Sequence, residues 1–302
     1  MRDTVDESSL WCELLIRRDD LIIGQPAHAW VAGQLARAWG NDAFPAPSPR
    51  EPVCLAAEQH DIGWADADLA PLLGSGGRPL GFIEYPRPEH VAIWRDAARR
   101  MLAQSRYAAL LVSLHGISLY RRVDPDAYEP EVARAIRSYR EEQLALQAEL
   151  SAGLDAAEID RNRRLILALD RLSLALCHGG ATTLESVPAV DGDVAIRVAP
   201  AADDAGSPPP GAASSPPAGA ISSPPAGAAS SSGAARVRDD HAVPADAATA
   251  RFLAAPWPFA AEQVVVGCEA RRLTGSFTDE AALRAALAAA PWEPLRFQLS
   301  PR

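Results

Sequence analysis

Lysine is absent from this 302-residue chain, so all 29 basic residues are arginines. Any clamp on a phosphate or carboxylate must then use guanidinium, backbone N–H, imidazole or a metal ion. Positive charge is scarce as well. With 39 acidic residues the net charge is −10, which argues against sequence-independent nucleic-acid binding and against an anionic membrane surface. No stretch reaches the roughly 18 apolar residues of a membrane span. The opening MRDTVDESS has no apolar core of a secretory signal. The four cysteines, Cys12, Cys54, Cys177 and Cys268, form no CxxC, which excludes a disulfide framework or zinc ribbon and reads as free thiols in a reducing cytosol. A cytoplasmic protein acting on a small molecule, with no nucleic-acid or membrane partner, is the expectation. Its oligomeric state is open.

What is present is a 48% hydrophobic chain, enough for one or two packed domains. It is organised around Glu58-Gln59-His60-Asp61-Ile62-Gly63-Trp64, which ends an apolar helix with an adjacent imidazole and carboxylate. Such a pair can offer two ligands to Fe, Mn, Zn or Ni. Other polar groups stand where helix patterning buries them. On a helix from Gln25 to Trp39, His28 shares the face of Leu35 and Trp39. His90 lies in the first turn of a helix starting at Pro88, where the dipole favours a neutral ring. Arg106 to Tyr120 is apolar on nearly every side and carries His115-Gly116 as an interruption. Asp170 sits amid LILALDRLSLALC, and a buried carboxylate needs a cation: a metal, or an ion pair with Arg163 or Arg171. His178, in a helix-ending His-Gly-Gly, is a reserve candidate.

The ordered set His28, His60-Asp61, His90, His115, Asp170 resembles the dinuclear branch of the HD-domain superfamily of metal-dependent enzymes. The segments QPAHAWVAGQLARAW, EQHDIGW, EHVAIWRDA, YAALLVSLHG, LDRLSLALC and PWPF resemble the bacterial domain of unknown function 3891. The HD resemblance implies two divalent ions held by the six residues, with Asp61 as bridge and Asp61 and His115 closest to the chemistry. HD hydrolases often continue the pair as HDxGK or HDxGH, but here that place is Trp64. Its loss of Lys reflects either the lysine-free composition or altered chemistry.

The organisation expected is α+β and mainly helical. A hairpin at 1–24 packs on an HD-like helical core at 25–180. A strand segment at 181–200 precedes an Ala/Pro/Ser/Gly linker at 201–243, in which SSPPAGA recurs. Residues 244–302 complete a small antiparallel sheet, or form a separate mini-domain. Residues 62–88, rich in Gly and Pro, read equally as a substrate loop or as a long surface crossing. Trp64, Arg87, Arg95, Arg121 and Arg122 are candidate substrate contacts, while His241 in the linker edge is set aside. Three functions fit: a metal-dependent phosphohydrolase, an HD-type mixed-valent di-iron oxygenase, or a binding module with a buried polar network.

Overall fold

A computed structural model describes residues 16–18, 20–81, 84–121, 123–201 and 249–302. The expected linker, His241, Cys12 and Arg122 therefore lie outside the described residues, as does most of the first hairpin strand. The helical part consists of α1 (Gln25–Ala38), α2 (Arg50–Gln59), α3 (Ala65–Leu69), α4 (Arg87–Leu102), α5 (Arg106–Tyr120), α6 (Pro130–Ser151) and α7 (Ala156–His178). Local chemistry sets several of these ends. Ser105 accepts the Ala108 N–H at the start of α5, and Asp155 accepts that of Ala157 at the start of α7. Gly179 closes α7 in the left-handed region at φ 73°. Helix α5 packs on α2, α4, α6 and α7, so its apolar circumference is covered on all sides.

Sequence patterning places His115-Gly116 as an interruption of α5, but the helix runs through both residues to Tyr120. The glycine serves a close approach instead: a Cβ at 116 would lie 2.7 Å from Tyr139 Oη and 2.9 Å from Trp94 Cε3. Similarly, Gly33 lets α1 lie against α2, since a Cβ there would meet that of Glu58 at 2.6 Å.

The strands are β1 (Ile16–Arg18), β2 (Leu21–Ile23), β3 (Thr182–Ala189), β4 (Gly192–Pro200), β5 (Thr249–Ala255), β6 (Val264–Arg272) and β7 (Trp292–Pro301), with α8 (Glu280–Ala289) before the last. They form one sheet in the order β1-β2-β6-β7-β5-β4-β3. The N-terminal hairpin and the C-terminal strands thus share a sheet. Two expectations change. The sheet is larger than a small hairpin-based one, and it is mixed, because β5 and β7 run parallel, Thr249 opposite Arg296. The crossover through β6 and α8 brings β7 back between its neighbours, which no local pattern dictates.

Helix α1 joins the two layers. Its side chain Gln34 donates to the Gly267 carbonyl at 2.7 Å and accepts from the Gly267 N–H at 3.1 Å, pinning it to β6. The Gly/Pro-rich loop after α3 is fastened too. The Phe277 N–H donates to the Gly77 carbonyl at 2.7 Å, and Leu73 packs with Ile22, Leu273, Leu283 and Leu287. Among the described residues, no helix is long and apolar enough to cross a membrane.

Candidate metal centre

Four elements converge on one buried spot. Helix α1 contributes His28, with no solvent exposure. Helix α2 ends at His60, whose ring turns back so that Nδ1 donates to the Ala57 carbonyl at 2.8 Å. That bond keeps a proton on Nδ1 and leaves Nε2 as the nitrogen that an ion can take once it displaces the proton there, the usual preparation of a metal-ligating imidazole. Asp61 follows, and the chain enters a 3-10 turn over Ile62–Trp64. The turn fits against α4 only because residue 63 is glycine: a Cβ there would stand 2.2 Å from the Ile93 carbonyl oxygen. Helix α5 adds His115 and α7 adds Asp170, 3% and 5% exposed.

The separations are the informative quantity. His28 Nε2 is 3.2 Å from Asp170 Oδ1 and 3.4 Å from Asp61 Oδ2. His60 Nε2 is 3.4 Å from Asp170 Oδ1 and 3.6 Å from Asp61 Oδ2. Donors at the usual distance from one transition-metal ion lie about 2.9–3.4 Å apart, from octahedral to tetrahedral arrangement. The four His–carboxylate separations come close to that spacing, and His28, His60 and Asp170 form one group of donors that could hold a metal ion. His115 stands at the margin, its Nε2 3.9 Å from Asp170 Oδ2 and its ring centroid 4.7 Å from that of His60. His60, Asp61 and His115 form a second donor group, with ligand atoms within 4.8 Å of one another.

Electrostatics point the same way. Two carboxylates buried side by side carry a large desolvation cost unless a cation or proton accompanies them. Among the described residues, the partners of the Asp170 carboxylate are His28, His60 and His115. Arg163 pairs with Asp160 instead. Burial pushes the Asp61 carboxyl up and Asp170 adds to it, against the opposing pull of His60 and His28. Burial would raise Asp170 too, but the His28 hydrogen bond and the charge of nearby His60 hold it well below the usual range. Burial disfavours a charged His60, yet Asp61 and Asp170 outweigh that and lift it to about 9. His115, desolvated and beside His60, is pushed down to about 3 and stays a neutral donor. His28 Nδ1, His60 Nε2, Asp61 Oδ1 and His115 Nδ1 are all buried without a hydrogen-bond partner. Buried imidazoles and carboxylates gathered this way make the donor set of a divalent cation site.

Five of the six residues expected from the sequence therefore meet. His90 stands apart from the donor groups. Its Nδ1 is bonded to the Tyr120 hydroxyl, and Trp94 Nε1 donates to its Nε2 at 3.4 Å. An indole can only donate, so Nε2 is the acceptor and Nδ1 carries the proton. Burial, then Arg87, lowers His90 to about 3. Trp94 links the two zones, its ring 5.5 Å from His115 and 6.3 Å from His90. Sequence reasoning missed Tyr120 and Trp94; the i, i+4 spacing of His90 and Trp94 on α4 was the available signal.

The candidate substrate contacts scatter. Trp64 is buried, edge-on to Tyr85 and His90 at 5.5 and 5.3 Å. Arg87 is half-buried, 5.8 Å over the Tyr128 ring. Arg95 is paired with Glu142 on the outer face, and Arg121 is exposed at the end of α5.

Neither a curated protein nor a solved structure matches the chain. A family model described as "Protein of unknown function (DUF3891)" matches residues 15–275, most of the 302-residue chain, and the protein belongs to that family.

Proposed function

We propose that the protein is a metal-dependent phosphohydrolase of HD-like helical type, with a divalent ion held by His28, His60, Asp61 and Asp170. The observation that carries the reading is the 3.2–3.6 Å separation of the His28 and His60 Nε2 atoms from the Asp61 and Asp170 carboxylate oxygens, brought together from α1, the end of α2 and α7. An ion at that position would act as a Lewis acid, polarising a phosphoryl oxygen and acidifying water. The chain's own residues do the rest. Ala57 fixes the His60 tautomer, the apolar helices exclude bulk water, and His115 stays neutral beside His60. Fe, Mn, Zn and Ni all suit this mixed imidazole–carboxylate set.

A second reading is favoured by the second donor group, His60, Asp61 and His115. A second ion there, bridged through Asp61, would give a di-iron centre of oxygenase type. The two are separated by activity under nitrogen. A hydrolase loaded with Mn(II), Fe(II) or Ni(II) cleaves p-nitrophenyl phosphate without oxygen. An oxygenase leaves it intact, consumes O₂ with its substrate and shows a mixed-valent paramagnetic signal after partial reduction.

A further inference from the structure

Every donor of the centre is enclosed: His28 and His60 have no exposure, and Asp61, His115 and Asp170 at most 5%. A soluble molecule cannot touch an ion held there, so an electron exchanged with that ion must cross the protein. Two of the metals suited to the donor set, Fe and Mn, lose the divalent state on oxidation.

The oxidisable rings of the chain gather beside this centre. Four of its five tyrosines, Tyr85, Tyr120, Tyr128 and Tyr139, stand in one zone with Trp64, Trp94 and His90. Among the described residues, the buried members of the large core cluster include no tyrosine, so burial alone does not call for phenols. Five rings run in sequence from the donor cluster outward. Trp94 lies 5.5 Å from His115, His90 6.3 Å from Trp94, Trp64 5.3 Å from His90, and Tyr85 5.5 Å from Trp64. These are the separations of packed aromatic pairs. Trp64 is also tied to the centre along the backbone, since its N–H donates to the Asp61 carbonyl at 3.0 Å. Tyr85 ends the run between exposed Glu84 and Pro86.

Electron tunnelling falls off exponentially with the gap, so packed rings carry an electron in short hops where one long jump fails. The hydrogen bonds suit the same task. An indole that loses an electron becomes acidic, and Trp94 already directs its N–H at His90 Nε2, 3.4 Å away. Tyr120 holds the same imidazole from its other nitrogen.

We propose that Trp94, His90, Trp64 and Tyr85 form a one-electron path that returns an oxidised ion at this centre to its divalent state. The inference rests on the metal centre alone and holds for either reaction proposed above. Trp94 gives one electron to the trivalent ion, and its N–H proton passes to His90 Nε2. Trp64 relays an electron to Trp94 with its own proton in place, and the proton returns from His90. Tyr85 refills Trp64, its hydroxyl proton passing to solvent and back. A soluble one-electron reductant at the surface refills Tyr85. The ion is reduced by one electron, the reductant is oxidised by one, and no covalent bond other than these N–H and O–H bonds is exchanged.

The test uses full-length protein loaded with Fe(II), oxidised with ferricyanide, desalted and mixed with ascorbate under nitrogen. Loss of the Fe(III) paramagnetic signal is followed in time. Trp94→Phe and Tyr85→Phe keep a ring but one far harder to oxidise. Both are expected to bind as much iron as wild type and to slow the reduction about 10-fold or more. Trp94→Tyr, oxidisable again, should recover part of the rate. Trp292→Phe, an indole 57% exposed and off the path, should leave it unchanged. Wild-type rates in both Phe variants at full iron loading would overturn the path and leave the metal centre and the phosphohydrolase reading intact. An Fe(III) signal that ascorbate leaves untouched in wild type would do the same. A wild type that binds no iron overturns the path, and one that also refuses Mn, Zn and Ni overturns the centre with it. If Trp94→Phe fails to fold, Tyr85→Phe, which loses only a hydroxyl, decides: slower reduction supports the path and an unchanged rate rejects it.

Discussion

His28 Nε2 lies 3.2 Å from Asp170 Oδ1, across 142 residues of chain. The contact exists because α1 and α7 pack side by side, and each brings one polar group into an apolar face. Removing either partner leaves the other enclosed. Asp170→Asn is expected to abolish metal binding while nearly keeping the shape, and Asp170→Ala to abolish it with added cavity cost. In metal-saturated buffer both variants should melt below wild type, because ion binding adds to folding free energy. Without metal the gap should narrow. Differential scanning calorimetry with and without Mn(II) measures both arms.

A second expectation concerns protons. In metal-free protein the carboxylates hold His60 protonated up to about pH 9. A ligating imidazole must be neutral, so an ion displaces that proton. Titration with Zn(II) at pH 7 in weak buffer should therefore release close to one proton per chain from His60. Affinity should fall as pH is lowered, since proton and ion compete for Nε2. Uptake of Zn(II) with no proton release would place the ion elsewhere.

His90 offers a contrast. Because its ring is engaged by Tyr120 and Trp94, His90→Gln should leave the bound-metal count unchanged, whereas His60→Ala should remove the ion. Elemental analysis of the two purified variants decides this, and a drop in metal for His90→Gln would return that residue to the ligand set.

The same ring sets an acid limit on stability. Its folded value is depressed to about 3 by burial and Arg87, from an unfolded value of about 6.5. A depressed group contributes its full stability above pH 6.5 and loses it as pH falls from 6.5 towards 3. The stability of wild type relative to His90→Gln should decline over that window by about 1.4 kcal/mol per pH unit. Urea unfolding at several pH values reads it directly, and a pH-independent difference would mean that His90 stays charged in the fold.

The helical half was legible because its signals are local. The apolar periodicity of α1, α5 and α7 survives into the structure, and His28, His115 and Asp170 stand out as polar breaks in apolar faces. His60-Asp61 was legible as a doublet at a helix end. His90 satisfied the same burial rule, yet burial does not say which buried neighbour a ring meets. Tyr120, from another helix, supplied the partner. The sheet was legible strand by strand but not in order. The parallel β5–β7 pair depends on a crossover that strand patterns do not encode.

Gly63 gives a purely steric prediction. Since a Cβ there would be 2.2 Å from a backbone oxygen of α4, Gly63→Ala must push the turn carrying Asp61 away from Ile93. A loss of about 1–3 kcal/mol is expected from such overpacking, with weaker metal affinity because Asp61 moves. Gly76→Ala, where nothing lies within 4 Å, is the control and should change neither. Chemical denaturation of both variants tests the pair.

Isothermal titration of metal-free protein under nitrogen with Mn(II), Fe(II), Zn(II) and Ni(II), followed by elemental analysis, bears most directly on the metal centre. Wild type is expected to retain at least one ion per chain, to melt at higher temperature when loaded, and to lose both properties in His28→Ala, His60→Ala and Asp170→Asn. A wild-type protein that binds none of the four ions, with an unmoved melting temperature, would contradict the assignment and leave the cluster as a buried hydrogen-bonded network.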